Sequence, residues 1–472
     1  MPAALNSYSA LAAASLLATL ALASPTPVER DAITKVAIRQ ATSSTAISNS
    51  NQLAAAIGSF SADFQSLSAA VTVGEAIFTQ IIPAPGPTGM AQAQAELQEI
   101  TSANPGDIFK SGYEILLNGL AGGDYAQIAN AYLLESNTMN VNTRQPATPI
   151  YPKASPNDAP YSLTEQQLRQ VIYIPPGFTY GRIPPVLFLP GTAAVAGQNF
   201  GPNYGKLFAQ NKIADPVYVN LPGENLADIQ VAAEYVAYAV NYISGISGGK
   251  NVSTISWSAG SLDGQWALKY WPSTRNKTSN KIGISPDYHG TIEAQLLCPG
   301  VVTPGCTPAI AQQNYNSTFI RTLRNNGGDS AYVPTTNVYS IFDEIVEPQQ
   351  DPNASGALND ARKVGVSNVE VQAVCTALLP GGEFYNSHEG VLYNALGYAL
   401  AVDAIQHGGP GQLSRVNATY QCAQFATPGL SLADIFATEA LIPIAAFDIL
   451  AFEPKVASEP PIMPYAQGDT PK

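Results

Sequence analysis

Apolar residues in the first third of the chain recur at helical spacing. Leu53, Ile57, Phe60, Phe64 and Leu67 would share one helix face, and so would Phe109, Tyr113, Leu116 and Leu120. Pro83-Ala-Pro-Gly-Pro87 and Asn104-Pro-Gly106 punctuate these runs, because proline withholds a backbone donor and glycine favours turns. From about Tyr161 the pattern changes to short β-branched runs alternating with helical ones. Pro185–Leu189, Val217–Asn220, Val252–Ser256, Ile282–Ser285 and Val338–Ile341 are the strand candidates. Such alternation predicts an α/β fold built on a mostly parallel sheet with both faces covered. Ligands on sheets of this kind bind beyond the carboxyl ends of the strands.

The expected division of the chain is a signal peptide over 1–24, a leader or pro-segment over 25–48, an N-terminal helical region over 49–140, a Pro/Asn-rich linker over 141–160 and an α/β domain over 161–472. No internal repeat appears. The signal rests on an apolar run, Leu11–Leu22, that ends in the small residues Ala21-Leu-Ala-Ser24, although its first residues lack a positive side chain. Ser431–Phe452 is also apolar, but Asp434, Glu439, Pro443 and Asp448 interrupt it, so no transmembrane segment is expected.

Composition narrows the function classes. Of 472 residues 46% are hydrophobic and 12% charged, enough for a large core, and the net charge of -13 leaves no basic patch to neutralise phosphates. Nucleic acid is thus not an expected partner. Five Asn-x-Ser/Thr sequons fit a secreted glycoprotein; Asn251 abuts a predicted strand, which leaves Asn276, Asn316, Asn353 and Asn417 as the candidate acceptors. Four cysteines in an oxidising compartment imply two disulfides with three connectivities. Spacing favours Cys298 with Cys306 and Cys375 with Cys422. With no Cys-x-x-Cys and three histidines that are not at ligand spacing, neither a metal nor another cofactor is expected.

The segment Thr254-Ile-Ser-Trp-Ser-Ala-Gly-Ser261 carries the most specific chemistry. Val252–Ser256 reads as a buried strand, and Leu262, Gln265, Trp266, Leu268, Lys269 and Tyr270 supply a helical run that stops at Pro272. A serine exposed on a sharp strand-to-helix turn needs small residues two places before and after it, and Ser256 and Gly260 occupy those places. Ser258 is the candidate nucleophile of an α/β serine hydrolase. Gly245-Ile-Ser-Gly-Gly249 matches the usual Gly-x-Ser-x-Gly spelling better. Ser247, however, follows a helical stretch marked by Val231, Tyr235, Tyr238 and Tyr242, so its glycines read as a helix cap.

A serine hydroxyl is a weak nucleophile until an imidazole takes its proton, and a carboxylate must fix that imidazole's tautomer. His289 precedes the best acid, and His407 ends a helix, where partial positive charge is favoured. His388, in Phe384-Tyr-Asn-Ser-His-Glu-Gly390, satisfies the chain order Ser, Asp, His. Asp343, just past the strand at Val338–Ile341, is the candidate acid, with Asp287 the runner-up. The oxyanion donors are expected from the N–H of Ala259 and from Thr192 in Leu189-Pro-Gly-Thr-Ala-Ala194.

From about Pro185 to Tyr465 the chain resembles the secreted fungal lipases of the Candida antarctica lipase B type. Pro190-Gly-Thr192, Trp257-Ser-Ala-Gly260, Gln265-Trp266, Ser285-Pro-Asp-Tyr-His-Gly-Thr291, Pro334-Thr-Thr-Asn-Val-Tyr-Ser340, Asp343-Glu-Ile-Val346, Gln372-Ala-Val-Cys375, His388 with Gly390, and Met463-Pro-Tyr-Ala466 match their landmarks in order. The resemblance implies an α/β-hydrolase fold, Ser258 as nucleophile, Asp343 as acid, His388 as base, and Thr192 with Ala259 as oxyanion hole. It adds Trp257, Asp287 and Gln313 as substrate-pocket residues and supports the Cys375–Cys422 bridge. Ala259 departs from the family's glutamine, Ala193-Ala-Val-Ala196 replaces a Gly/Thr-rich loop, and one family disulfide has no counterpart. The block over 49–140 lies outside the resemblance.

The expected function is secreted hydrolysis of carboxylic esters of apolar acyl groups, as in a triacylglycerol lipase, through an acyl-enzyme and at a lipid–water interface. The helical block would cap the active-site mouth. Leu432, Ile435, Phe436, Ile442, Ile444 and Phe447 would either wall an acyl pocket or form an ordinary buried helix. A transacylase or polyester hydrolase would use the same machinery, and a non-catalytic binding protein could keep the fold alone.

Overall fold

A computed structural model of the protein describes residues 46–49, 52, 56, 80–104, 107–121, 135–298, 305–383 and 385–471. The segment 1–45 and the expected helix through Leu53, Ile57, Phe60, Phe64 and Leu67 lie outside the described residues.

The strands β1 (Ile172–Tyr173), β2 (Pro185–Leu189), β3 (Asp215–Val219), β4 (Val252–Trp257), β5 (Thr278–Ile284), β6 (Thr335–Tyr339) and β7 (Val366–Glu370) form one sheet in the order β1-β3-β2-β4-β5-β6-β7. β1 runs antiparallel to β3, and the other neighbours are parallel. Every residue of β2 is buried, as a strand covered on both faces requires. Its side chains alternate: Leu187 and Leu189 enter one core layer, Val186 and Phe188 the other.

The helices that frame the sheet and the site are, in chain order, α1 (Met90–Ala103), α2 (Ile108–Leu117), α3 (Ala196–Phe200), α4 (Ile229–Ile246), α5 (Gly260–Tyr270), α6 (Pro308–Gln313), α7 (Ala395–His407), α8 (Leu432–Glu439) and α9 (Leu441–Ala451). Residues of α4 and α5 pack with Leu187 and Leu189 on one face of the sheet. Residues of α3 and α7 pack with Val186 and Phe188 on the other. Order reverses between β2 and β4: the chain lays β3 beyond β2, then returns across it to begin β4. That switch point brings the loop after β2 beside the turn after β4.

Several strand boundaries differ from the sequence expectation. β5 begins at Thr278 rather than Ile282, β6 spans Thr335–Tyr339 rather than Val338–Ile341, and β3 spans Asp215–Val219 rather than Val217–Asn220; β1 and β7 were not anticipated. Most residues added to β3, β5 and β6 are polar, which argues against a buried strand unless each side chain finds at least one partner. They do: Asn280 Nδ2 donates to Ala404 O at 3.0 Å, Asn337 Nδ2 to Asn368 Oδ1 at 2.8 Å, and Thr335 Oγ1 to Val333 O at 2.8 Å. Both disulfides favoured by spacing, Cys298–Cys306 and Cys375–Cys422, are formed. Among the described residues no helix is long and apolar enough to cross a membrane.

A third core layer joins the two ends of the chain. Leu97 and Ile100 of α1, with Tyr113 and Leu116 of α2, pack with Ile435 of α8, Ile442, Ile444 and Phe447 of α9, and Ala193 just beyond β2. The apolar residues of α8 and α9 therefore meet the N-terminal helices. Contact is closest at Gly112, where a Cβ would lie 3.0 Å from Pro443 Cα. Gly112→Val should destabilise the protein by about 1–3 kcal/mol, because neither helix backbone can yield without opening the layer. Urea denaturation measures this, and an unchanged midpoint would show that α2 is not held there.

Candidate active site

β4 delivers its chain into α5 through one strained residue. Ser258 has φ 52°, in the left-handed region that disfavours side chains other than glycine. The turn is that tight because α5 starts directly beneath the oxyanion loop. A Cβ on Gly260 would lie 2.6 Å from both Leu189 O and Pro190 O, so only glycine fits there. Ser258 N donates to Ile284 O at 3.2 Å, tying the turn to β5. Ser261 Oγ donates to Ser258 O at 2.6 Å and accepts from Asp287 N at 2.8 Å, which links the loop after β5 to the same turn.

Asp343 and His388 meet beyond the carboxyl ends of the strands. His388 Nδ1 lies 2.8 Å from Asp343 Oδ2, and both side chains are buried. The other carboxylate oxygen, Asp343 Oδ1, accepts from the N–H groups of Ile345 at 3.1 Å and Val346 at 2.8 Å. Three donors around one carboxylate fix its orientation. The His388 loop is anchored through its backbone: His388 O accepts from Trp257 Nε1 at 3.0 Å and from Ser285 Oγ at 2.9 Å. Trp257 precedes Ser258 in the chain, and its ring lies 4.9 Å from the imidazole. This pair of bonds holds the imidazole loop against the serine turn.

The loop after β2 passes close to the serine, since a Cβ on Gly191 would lie 3.1 Å from Ser258 Cβ. Thr192 follows β2, and its Oγ1 donates to Gln313 Oε1 at 3.0 Å, while Gln313 Nε2 donates to Ala309 O at 3.1 Å. The α6 backbone thus orients the Gln313 amide, and that amide orients the threonine hydroxyl. Ala259 is fully buried at the start of α5, where backbone N–H groups lack intrahelical acceptors. Asp287 is fully buried, and burial together with the charge of Asp343 pushes its carboxyl well above the usual range. It is therefore unsuited to be the anion that pairs with His388.

The rejected candidates lie elsewhere. Ser247 is buried at the C-terminal cap of α4, with Gly248 and Gly249 at positive φ. His289 Nε2 pairs with Asp329 Oδ1 at 2.8 Å, and His407 is the last residue of α7, its Nδ1 3.0 Å from Asp403 O. Asn276, Asn316, Asn353 and Asn417 are exposed, and so is Asn251 at the edge of β4.

Sequence reasoning passed over the acids beside the pair. His388 N donates to Glu344 Oε2 at 3.2 Å, Ser387 Oγ to Glu389 Oε1 at 2.8 Å, and Tyr393 OH to Glu439 Oε1 at 2.7 Å. Burial, with Glu389 and Asp343 nearby, raises the Glu344 carboxyl well above its usual range; burial, with Glu389, does the same to Glu439. The only sequence signal was adjacency, in Asp343-Glu344 and His388-Glu389.

No protein-family model matches the chain. Over 283 residues it is 33% identical to lipase B of Pseudozyma antarctica, covering 60% of this chain and 79% of that protein. The crystal structure of Aspergillus fumigatus lipase B superposes with a TM-score of 0.80 at 44% identity, covering 88% of this chain and 99% of that one. The chain belongs to the fungal lipase B family. The share of the chain left uncovered by the Aspergillus structure is smaller than the block over 49–140, so likeness within the family reaches into that block.

Strain at a family turn of this kind has a measurable signature. Ser258→Gly and Ser258→Ala both remove the hydroxyl, but only glycine is free at φ 52°. Ser258→Gly should be the more stable of the two by about 1 kcal/mol. Equal midpoints in urea would mean that the turn carries no strain. A second expectation concerns Glu347, which burial and the charge of Asp343 raise to about 7. A carboxyl raised on folding stabilises fully below its unfolded value, about 4.3, and loses that contribution as pH rises through its folded value. Glu347→Gln should therefore match the parent near pH 4 and melt higher than it at pH 8. A parent that melts higher at pH 8 would reverse the sign.

Proposed function

We propose that the protein is a secreted carboxylic ester hydrolase of the lipase/esterase class that works through an acyl-enzyme on Ser258, with His388 as general base and Asp343 as its orienting acid. Family membership supports the reaction class. The observation that carries the residue assignment is the anchoring of His388 O by Trp257 Nε1 at 3.0 Å, with the imidazole itself 2.8 Å from Asp343. One bond thus couples the base to the nucleophile's own strand.

In this reading Ser258 Oγ attacks the ester carbonyl while His388 Nε2 takes its proton, and Asp343 stabilises the imidazolium through Nδ1. The oxygen that becomes negative accepts from Ala259 N and from the Thr192 group, both held before substrate arrives. His388 returns the proton to the leaving alcohol, and water repeats the sequence on the acyl-enzyme. Where an alcohol replaces that water the same steps give acyl transfer. Apolar acyl groups, including those of lipids, are the substrate class; Trp257, Asp287 and Gln313 line the approach. The N-terminal helices act as a cap, because their apolar residues share a layer with α8, α9 and Ala193 of the oxyanion loop. The apolar segment at 11–22, two disulfides and exposed sequons support export and glycosylation.

In a fungal host expressing the full chain, a fluorophosphonate should label the protein in the culture medium, at Ser258. Ser258→Ala should lose labelling and at least about a thousandfold in kcat/KM on a chromogenic ester, whereas Ser247→Ala should keep both. Label on Ser247 would remove the assigned nucleophile. Labelled protein confined to cells would remove the export reading while leaving the chemistry intact.

A further inference from the structure

Two buried polar side chains join the oxyanion loop to the nucleophile helix. Asn225 follows β3 in a run where Gly223, Glu224 and Asn225 have φ of 65°, 53° and 56°. Its Nδ2 donates to Pro190 O at 3.1 Å and to Asp263 Oδ2 at 2.9 Å, and the neighbouring Glu224 O accepts from Ala194 N at 3.0 Å. The loop that carries Thr192 is therefore gripped at both ends by consecutive residues. Asp263 sits in the first turn of α5, just past Ser258, and is fully buried.

Asn225 Oδ1 and Asp263 Oδ1 are both buried without a partner. An amide facing an ionised carboxylate can make one hydrogen bond, which strands two acceptors, and each stranded buried acceptor is costly. A carboxylic acid removes the conflict. Amide and acid groups are planar, and each presents one donor and one acceptor on the same edge, so together they close a ring of two hydrogen bonds. The first of these is the observed bond from Asn225 Nδ2; the second would run from a proton on Asp263 Oδ1 to Asn225 Oδ1. Burial favours the acid form and pushes the Asp263 carboxyl well above its usual range, opposed by the bond from Asn225. The partial positive charge at the start of α5 favours the ionised form, but an anion without a cation partner at full burial is the larger cost.

We propose that Asn225 and Asp263 form a neutral, cyclic amide–carboxylic acid pair that positions the oxyanion loop against the Ser258 turn. Neither side chain is assigned contact with substrate; both act through Pro190 and α5. The inference rests on the reading of Ser258 and Thr192 given above. It predicts that the second hydrogen bond, rather than a negative charge at residue 263, is what activity requires.

Three variants and one spectrum test it in the full-length protein. Asp263→Ala and Asn225→Ala break the ring and should lower kcat on a chromogenic ester about tenfold or more, part of what loss of an oxyanion donor costs, with KM within about twofold. Asp263→Asn keeps a two-bond amide ring and should restore kcat to within about twofold of the parent. Infrared difference spectra of parent against Asp263→Asn should show one protonated-carboxyl C=O band at neutral pH that the variant lacks. Folded alanine variants with parental kcat, an Asp263→Asn variant as impaired as Asp263→Ala, or absence of that band would each overturn the proposal. If the alanine variants do not fold, Asp263→Asn kinetics and the band decide. A parent that shows the band yet resists fluorophosphonate would defeat the hydrolase reading alone.

Discussion

The left-handed backbone at Ser258 costs on the order of 1–2 kcal/mol and persists only because its surroundings leave no alternative. Ser256 is paired in register with Leu189 of β2 and Gly283 of β5, so the strand before the turn cannot shift. Gly260 lies against the carbonyls of Leu189 and Pro190, so the helix after the turn cannot shift either. Between those limits one residue must reverse the chain, and its side chain is left pointing away from the sheet. The same close approach couples the Ser258 turn to the loop that carries Thr192.

Around that turn the protein manages several buried acids, and the way each is treated separates their roles. Asp343 accepts from two backbone N–H groups and faces the imidazole. Asp287, Glu344 and Glu439 are driven toward their neutral forms, first by burial and then by nearby charge: Asp343 for Asp287, Glu389 and Asp343 for Glu344, and Glu389 for Glu439.

The outer layer answers a different demand. α8 and α9 are too apolar to face water, and the N-terminal helices cover them with an equally apolar surface at Gly112 and Tyr113. Because Ala193 belongs to the same layer, the cover reaches the loop that carries Thr192. Helices from both ends of the chain thus share one apolar layer with the loop after β2, while Ser258, Asp343 and His388 follow strands of the sheet. Family likeness to the Aspergillus structure extends into the block over 49–140, whereas the match to the Pseudozyma protein spans a shorter part of the chain.

Local pattern carried much of this. The strand, turn and helix around Ser258, the all-apolar β2 and the helix through Phe109 and Leu116 are written in windows of a few residues, where periodicity and turn chemistry act. The order of motifs also singled out Asp343 and His388, which the fold brings to 2.8 Å. What stayed hidden were features whose meaning depends on a partner far along the chain. β7 and the first halves of β5 and β6 carry no apolar strand pattern, because Asn280, Asn337 and Asn368 fit a strand only once Ala404 and one another give each a partner. Asn225 and Asp263 lie in separate segments with no local pattern that joins them. Only tertiary packing, by removing water from both, turned two ordinary polar side chains into a matched pair, since an isolated segment always has solvent to bond with and a buried one does not.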